Sequence, residues 1–472
     1  MLNGLKMVTM GGREVWPLVE GGKGVAATNH MSSGAWALAG GVGTVSAVNA
    51  DSYDPTGRII PQVYNALTRR ERHEELINYA IEGAVQQVQR AYDMASSELS
   101  RGIGALNINV LWEMGGAQRV LEGVLSRTRG LVNGVTCGAG MPYKLSEIAA
   151  HHGVHYYPII SSARAFRALW KRAYSKAAEW LGAVVYEDPW LAGGHNGLSN
   201  AEDPRAPQDP YPRVRDLRAV MRESGIPDSV PIVMAGGVWC LREWTDWIDN
   251  PELGQIVFQF GTRPLLTQES PIPEAWKQRL MTLKEGDILL HKFSPTGFYS
   301  SAVRNPFLRH LEARSERQVA FSTAATGDHQ FQLDVGVGRK SYYVTRDDLL
   351  RARGWHGAGY TEALKTPDNT LVFVTPADKA VIRKDQSDCM GCLSQCGFSS
   401  WADNETNTTG RLADPRSFCI QKTLQDIVHG GDTEQNLMFG GHSAFRFATD
   451  PFYSNGFVPT VKQLVDRILT GD

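Results

Sequence analysis

Pro231-Ile-Val-Met-Ala-Gly-Gly-Val238 and Ile256-Val-Phe-Gln-Phe-Gly-Thr-Arg263 share one layout, a short apolar run that ends in glycine. A run of four or five mostly apolar residues, with no sustained polar alternation, fits a strand buried on both faces. Runs of the same kind recur upstream at 17–20, 43–47, 105–111, 132–137, 154–160 and 183–187, which makes eight. Helical patterns separate most of them. The clearest covers residues 72–99, where Leu76, Ile77, Ala80, Ile81, Val85 and Val88 form one stripe and Glu74, Asn78, Glu82 and Gln86 lie off it. Eight buried strands alternating with helices predict an α/β chain, and at this length a closed (β/α)8 TIM barrel rather than a doubly wound sheet.

The chain has 472 residues, more than one ordinary core needs, so a barrel plus an appendage is expected. Residues 1–310 are assigned to the barrel. Residues 291–307 read as an irregular loop entering a helix. Residues 311–388 read as a small α+β insert, with FQLDV, SYYVT and LVFVT as strand runs and a short helix at 347–353. Residues 389–472 carry a cysteine-rich segment and a final helix near 460–470 that packs back on the barrel. Lys and Arg total 48 against 50 Asp and Glu, a net charge of −2, which leaves no electrostatic footprint for nucleic acid or an anionic membrane. No run reaches the ~18–20 apolar residues of a membrane span, and the first residues lack the pattern of a secretory signal. A cytoplasmic enzyme with a small-molecule substrate is expected, and the sequence leaves a homo-oligomer open.

Two compositional features carry the functional reading. The 48 glycines are about a tenth of the chain, against a usual ~7%, and many follow the predicted strands. Gly236-Gly237 and Gly261-Thr262 follow strands seven and eight, where barrels commonly bind phosphate on backbone N–H groups. Gly21-Gly22-Lys23 after strand one, Asn109 in strand three and Thr136 at the end of strand four stand where a flat ring could lie against backbone. Ala192-Gly193-Gly194-His195-Asn196-Gly197 follows strand six and places a histidine at the barrel mouth. His195 there suits a general acid/base, and equally a loop histidine that hydrogen-bonds the backbone.

The second feature is the cysteines. Four of six fall within thirty-one residues, as Cys389-x2-Cys392-x3-Cys396 and then Cys419. In a reducing compartment such a group holds a metal more readily than disulfides. The tight triple favours an iron–sulfur cluster of the 4Fe–4S type over structural zinc, which more often uses two paired arms. Cys137 stands near the barrel mouth, and Cys240 reads as a small buried residue.

Several of these segments together resemble the nitronate monooxygenase (2-nitropropane dioxygenase) family and its flavin enoyl-reductase relatives. They are PLVEGGKGV, SSGAWALAGGVGTVSA, NVLW, GAGMP, PIISSARA, AGGHNG, PIVMAGGV and FGTRPL, in order between residues 16 and 310. SPTGFYSSAVRNPF and FGGHSAFRF resemble segments of some members. The resemblance implies non-covalent FMN, with Gly236, Gly237, Gly261 and Thr262 on the phosphate, and Gly21, Gly22 and Asn109 near the isoalloxazine. It implies His195 as the catalytic histidine. Lys23 departs from the family, standing where relatives often carry methionine, so an ammonium there is expected to raise the flavin's potential. The cysteine spacing resembles that of cluster-bearing barrel flavoenzymes related to old yellow enzyme, with a longer last interval.

Three functions follow. The leading one is FMN-dependent oxidation of alkyl nitronates or similar small substrates with His195 as acid/base. The first alternative is an NAD(P)H-dependent flavin reductase of an enoyl thioester or quinone, with an iron–sulfur relay. The second is a non-flavin barrel acting on a phosphorylated metabolite, which would use the same phosphate loops.

Overall fold

The computed structural model describes residues 1–97, 104–335 and 340–472. Eight parallel strands close a barrel: β1 (Leu18–Glu20), β2 (Val42–Ser46), β3 (Ala105–Leu111), β4 (Gly134–Gly138), β5 (His155–Ile160), β6 (Val184–Glu187), β7 (Ile232–Ala235) and β8 (Ile256–Phe260). They follow one another around the barrel in chain order. The ring closes where Phe258 and Phe260 of β8 stand opposite Leu18 and Glu20 of β1. The (β/α)8 expectation therefore holds.

Side chains alternate along each strand between two cores. Val185, Val233 and Val257 point into an inner cluster, while Tyr186, Ile232, Met234 and Phe258 join the outer one under the helices. Both faces are buried, which is why these strands read as continuous apolar runs. An N-terminal hairpin, Val8–Met10 with Arg13–Val15, adds Val8, Met10 and Val15 to the inner cluster.

The long helix runs Arg69–Ser96, three residues earlier than its stripe indicated. Thr68 and Glu71 form a reciprocal capping box, and two of the helix's unpaired N-terminal donors are thereby satisfied. The stretch 98–99 of the expected helix lies outside the described residues. Beyond the barrel, strands Gln318–Ala320, Glu362–Lys365 and Thr370–Val374 form one small sheet, and Phe331–Val335 pairs with Lys340–Val344. The helix Arg346–Gly357 is longer than expected, and Leu349 and Ala352 share a separate small core with Val319, Leu333 and Phe373. The final helix, Val461–Leu469, is capped by Thr460 and buries Val461, Leu464, Val465 and Ile468 in the outer core.

One segment departs from expectation. Residues 292–299 are the expected irregular loop and the helix Pro306–Glu316 follows it, but between them Ser300–Val303 forms a strand antiparallel to Ile288–His291. Ser-Ser-Ala-Val has no alternation that announces a strand. It becomes one because Ser300 and Ser301 also pair with His195 and Gly194. Among the described residues, no helix is long and apolar enough to cross a membrane.

Candidate functional site

A cavity opens at the C-terminal ends of the barrel strands. Its wall contains Gly21, Gly22 and Lys23 from the turn after β1, Asn109 of β3 and Thr136 of β4. It also contains Gly193, Gly194 and His195 after β6, Gly236 and Gly237 after β7, and Gly261 and Thr262 after β8. The fold thus gathers all twelve residues singled out around His195 and the glycine turns. It adds others that were not named as site residues: Glu187 and Gln259 at the tops of β6 and β8, Trp239, Leu424, Ile427, and a roof from Met438 to Gly441, most of it the start of the FGGHSAFRF segment.

One end of the cavity carries unpaired backbone donors. Gly236 and Gly237 have φ of +91° and +78°, a backbone region that side-chain-bearing residues rarely adopt. Among the described residues, the N–H groups of Gly236, Gly237, Gly261 and Thr262 meet no protein acceptor. Unpaired donors grouped around one mouth can receive an anion. A Cβ built on Gly261 would meet nothing within 4 Å, so ligand can approach its backbone closely. Thr262 Oγ1 accepts a 2.8 Å hydrogen bond from the Gly441 N–H, which ties the roof to this loop. A flat ring with a phosphate tail, as in FMN, suits this lining: donors at the β7–β8 end and apolar surface at Leu111, Ile159 and Ile427.

His195 lies on the short strand Gly194–His195, held by Ser300 and Ser301. Its Nε2 is 2.6 Å from Ser294 Oγ, which is itself 2.8 Å from Thr296 Oγ1. Its ring meets Phe439 edge-on with centroids 5.2 Å apart. Burial lowers its pKa to about 4, so the imidazole is neutral at physiological pH. His291 stands across Ser300 from His195 on the neighbouring strand, and burial, with His195's charge second, lowers its pKa to about 3. Neither Ser294 nor His291 was singled out. Their place beside His195 depends on pairing between segments about a hundred residues apart.

Two more ionisable groups face the cavity. Lys23 Nζ donates to the Gly21 carbonyl at 2.9 Å and lies 3.4 Å from Glu20 Oε1. Burial lowers the Lys23 pKa against the pull of Glu20, and burial raises that of Glu20 against the pull of Lys23. The expected ammonium is therefore one half of a buried pair, not an isolated cation. Glu187 is raised to about 8 by burial and then by the Asp188 charge, which makes it mostly a neutral hydrogen-bond donor at pH 7.

Cys137 is fully buried in the outer core and does not line the cavity, contrary to its expected place at the mouth, because its side chain takes the helix-facing alternation of β4. Cys240 is half-buried rather than buried. Cys389, Cys392, Cys396 and Cys419 are all free thiols. Among the described residues, no three His, Cys, Asp or Glu side chains are gathered as one metal ion requires.

The family model for nitronate monooxygenase matches residues 13–469, nearly the whole chain. No curated protein matches the chain in sequence. Among solved structures, the enoyl reductase domain of MlnA from the macrolactin cluster of Bacillus amyloliquefaciens is 11% identical with a TM-score of 0.50, covering 97% of this chain and 93% of its own. FabK from Thermotoga maritima is 15% identical with a TM-score of 0.49, covering 96% and 92%. Nitroalkane oxidase from Streptomyces ansochromogenes is 18% identical with a TM-score of 0.44, covering 62% and 78%. At 11% identity the likeness to MlnA concerns the fold alone, and the family match carries the assignment. The chain belongs to the nitronate monooxygenase family and is an FMN-dependent oxidoreductase.

Proposed function

We propose that the cavity oxidises small alkyl nitronates, with His195 as its acid/base. The observation that carries this reading is a neutral imidazole set among apolar groups in the same cavity as the glycine anion loop. Gly236, Gly237, Gly261 and Thr262 would hold the FMN phosphate, and Gly21, Gly22 and Asn109 would flank the ring. Bound FMN supplies the electron acceptor. His195 takes a proton from carbon beside a nitro group, or orients a nitronate that arrives already ionised, and Ser294 fixes the imidazole's direction. Leu424, Ile427, Met438 and Phe439 leave an apolar space beside it, suited to a short alkyl chain. Two nitronates and one O2 give two carbonyl compounds and two nitrite ions, so nitrite is the readout. The holoenzyme is expected to consume O2 and release one nitrite per nitronate without NAD(P)H.

A second reading rests on the spacing of Cys389, Cys392, Cys396 and Cys419 in the sequence: an NAD(P)H-dependent reductase of an enoyl thioester or quinone. No O2 uptake with nitronates, together with steady NAD(P)H oxidation that depends on such an acceptor, would select it over the first.

A further inference from the structure

The two turns that carry the unpaired donors are joined from behind by one side chain. β7 and β8 pair only as far as Ala235 and Gln259. Beyond that point, among the described residues, no backbone hydrogen bond runs from one turn to the other. Arg263, the residue after Thr262, makes the connection. Its Nη1 donates to the carbonyl of Trp239, in the turn that begins at Gly236, at 2.5 Å. Gly261, Thr262 and Trp239 line the cavity, and Arg263 lies behind them, 1% exposed. On the cavity side the roof touches the same two turns. The Gly441 N–H donates to Thr262 Oγ1 at 2.8 Å, and Ser443 Oγ to the Gly237 carbonyl at 3.5 Å.

A buried guanidinium needs a counter-charge and hydrogen-bond acceptors. Arg263 finds them on distant segments. Its Nε donates to Tyr453 Oη at 3.0 Å, and Nη1 donates also to the Asp472 carbonyl at 3.1 Å. Its Nη2 stands 3.5 Å from Asp450 Oδ2. The same carboxylate oxygen accepts from Trp239 Nε1 at 2.8 Å, so Asp450 holds both the cation and an indole of the cavity wall. The rings of Trp239, Phe452 and Tyr453 surround the guanidinium, their centroids 5.1, 5.9 and 5.9 Å from its carbon. A lysine ammonium lacks the planar fork that meets Tyr453, Trp239 and Asp450 at once.

We propose that Arg263 is a positioning residue for the FMN phosphate: by joining the turn after β7 to the turn after β8, it keeps the N–H groups of Gly236, Gly237, Gly261 and Thr262 converged on one anion. The inference rests on the placement of the phosphate at these turns, and on neither choice of substrate. Arg263 takes no part in the cavity wall and acts through the backbone alone. Gly236 and Gly237, both at positive φ, have no side chains to stiffen their turn. The direction of their N–H groups therefore depends on what grips the far end of that turn, the Trp239 carbonyl. Donors already fixed in place bind an anion without first losing their own freedom. A loosened turn weakens the hold on the phosphate and leaves the ring's neighbours Gly21, Gly22 and Asn109 as they were.

The test is the ratio of FMN affinity to riboflavin affinity, titrated on the apo forms of the full-length wild type, Arg263→Lys and Asp450→Asn. Thermal melts and phosphorus NMR of bound FMN accompany it. Arg263→Lys keeps a positive charge but loses the bridge. It should lower the ratio about tenfold or more, the weight of one hydrogen bond to a charged group, with riboflavin affinity nearly unchanged. Asp450→Asn removes the guanidinium's counter-charge and should lower the ratio in the same direction. In both variants the phosphorus signal of bound FMN should move toward that of free FMN. FMN and riboflavin weakened alike, with the ratio unchanged, would make Arg263 a residue of the fold only and overturn the proposal. Where Arg263→Lys does not fold, the ratio in Asp450→Asn decides by the same criterion. A wild-type protein without preference for FMN overturns the phosphate placement as well, whereas a wild-type preference that survives both substitutions overturns the role of Arg263 alone.

Discussion

Gly261→Ala separates ligand binding from folding more cleanly than any other change in the cavity. Gly261 has no left-handed φ, and a Cβ there meets no protein atom within 4 Å, so the folded apo-protein accommodates alanine without strain. Its stability should change by no more than ~0.5 kcal/mol, or rise by up to ~1 kcal/mol because the unfolded chain loses freedom. The open space beside Gly261 is the cavity, next to the unpaired N–H groups of Gly236, Gly237 and Thr262. A methyl there pushes a bound phosphate off those donors. A hydrogen bond to a charged group contributes ~1.5–3 kcal/mol, so losing one weakens FMN binding about 10- to 150-fold. The assay is fluorescence titration of apo-protein with FMN and, as a control, with riboflavin, which has no phosphate. Thermal melts of both apo-proteins complete the comparison. FMN affinity within twofold of wild type, or an equal penalty for riboflavin, would refute the placement of the phosphate. A clear fall in apo-protein melting temperature would refute the claim that the space is free.

Three further outcomes are expected. Gly22→Ala should destabilise the fold by ~1–3 kcal/mol and lower flavin content, because its Cβ would lie 2.4 Å from Asn109 Cβ. Asn109→Ala should not rescue it, since the clash is with the Cβ itself, and rescue seen in melts of the double variant would contradict that account. For His195, the neutral form acts and its pKa is lowered to about 4, so kcat/KM should rise with pH through about 4 and stay flat through 6.5. His195→Asn should lower kcat ~10²–10⁴-fold with FMN retained, and a wild-type inflection near 6.5 would show the histidine to be unperturbed. Lys23→Met should lower the flavin midpoint potential by about 30 mV, equivalent to ~1.4 kcal/mol for a two-electron couple. An unchanged potential in spectroelectrochemical titration would mean that Glu20 already cancels the lysine's charge at the ring.

The barrel was legible because its evidence is local. Residues such as Ile232–Ala235 and Ile256 to Phe258 are apolar on both faces, which a doubly covered parallel sheet explains. The glycine turns were legible for the same reason, since a tight turn at a strand end is written in consecutive residues. Glu187 and Gln259 were not, because a polar residue ending an apolar strand looks the same whether it faces a cavity or solvent. Ser294, His291 and the roof at 438–441 reach His195 only through the pairing of Ser300 and Ser301 with a two-residue strand far upstream.

The amino-acid order by itself therefore determined the barrel, the anion-binding glycines, the candidate histidine and the spacing of four cysteines. Only the tertiary structure decided what surrounds them. It set Glu20 against Lys23, placed His195 beside Ser294 at the cavity and hid Cys137 in the core. It also placed Cys419 at the turn into the helix Ile420–Val428. The physical reason is that strand and turn signals arise from each residue's own backbone and its near neighbours. Burial, proton affinity and partnership arise from groups that are distant in the chain and adjacent only after it closes.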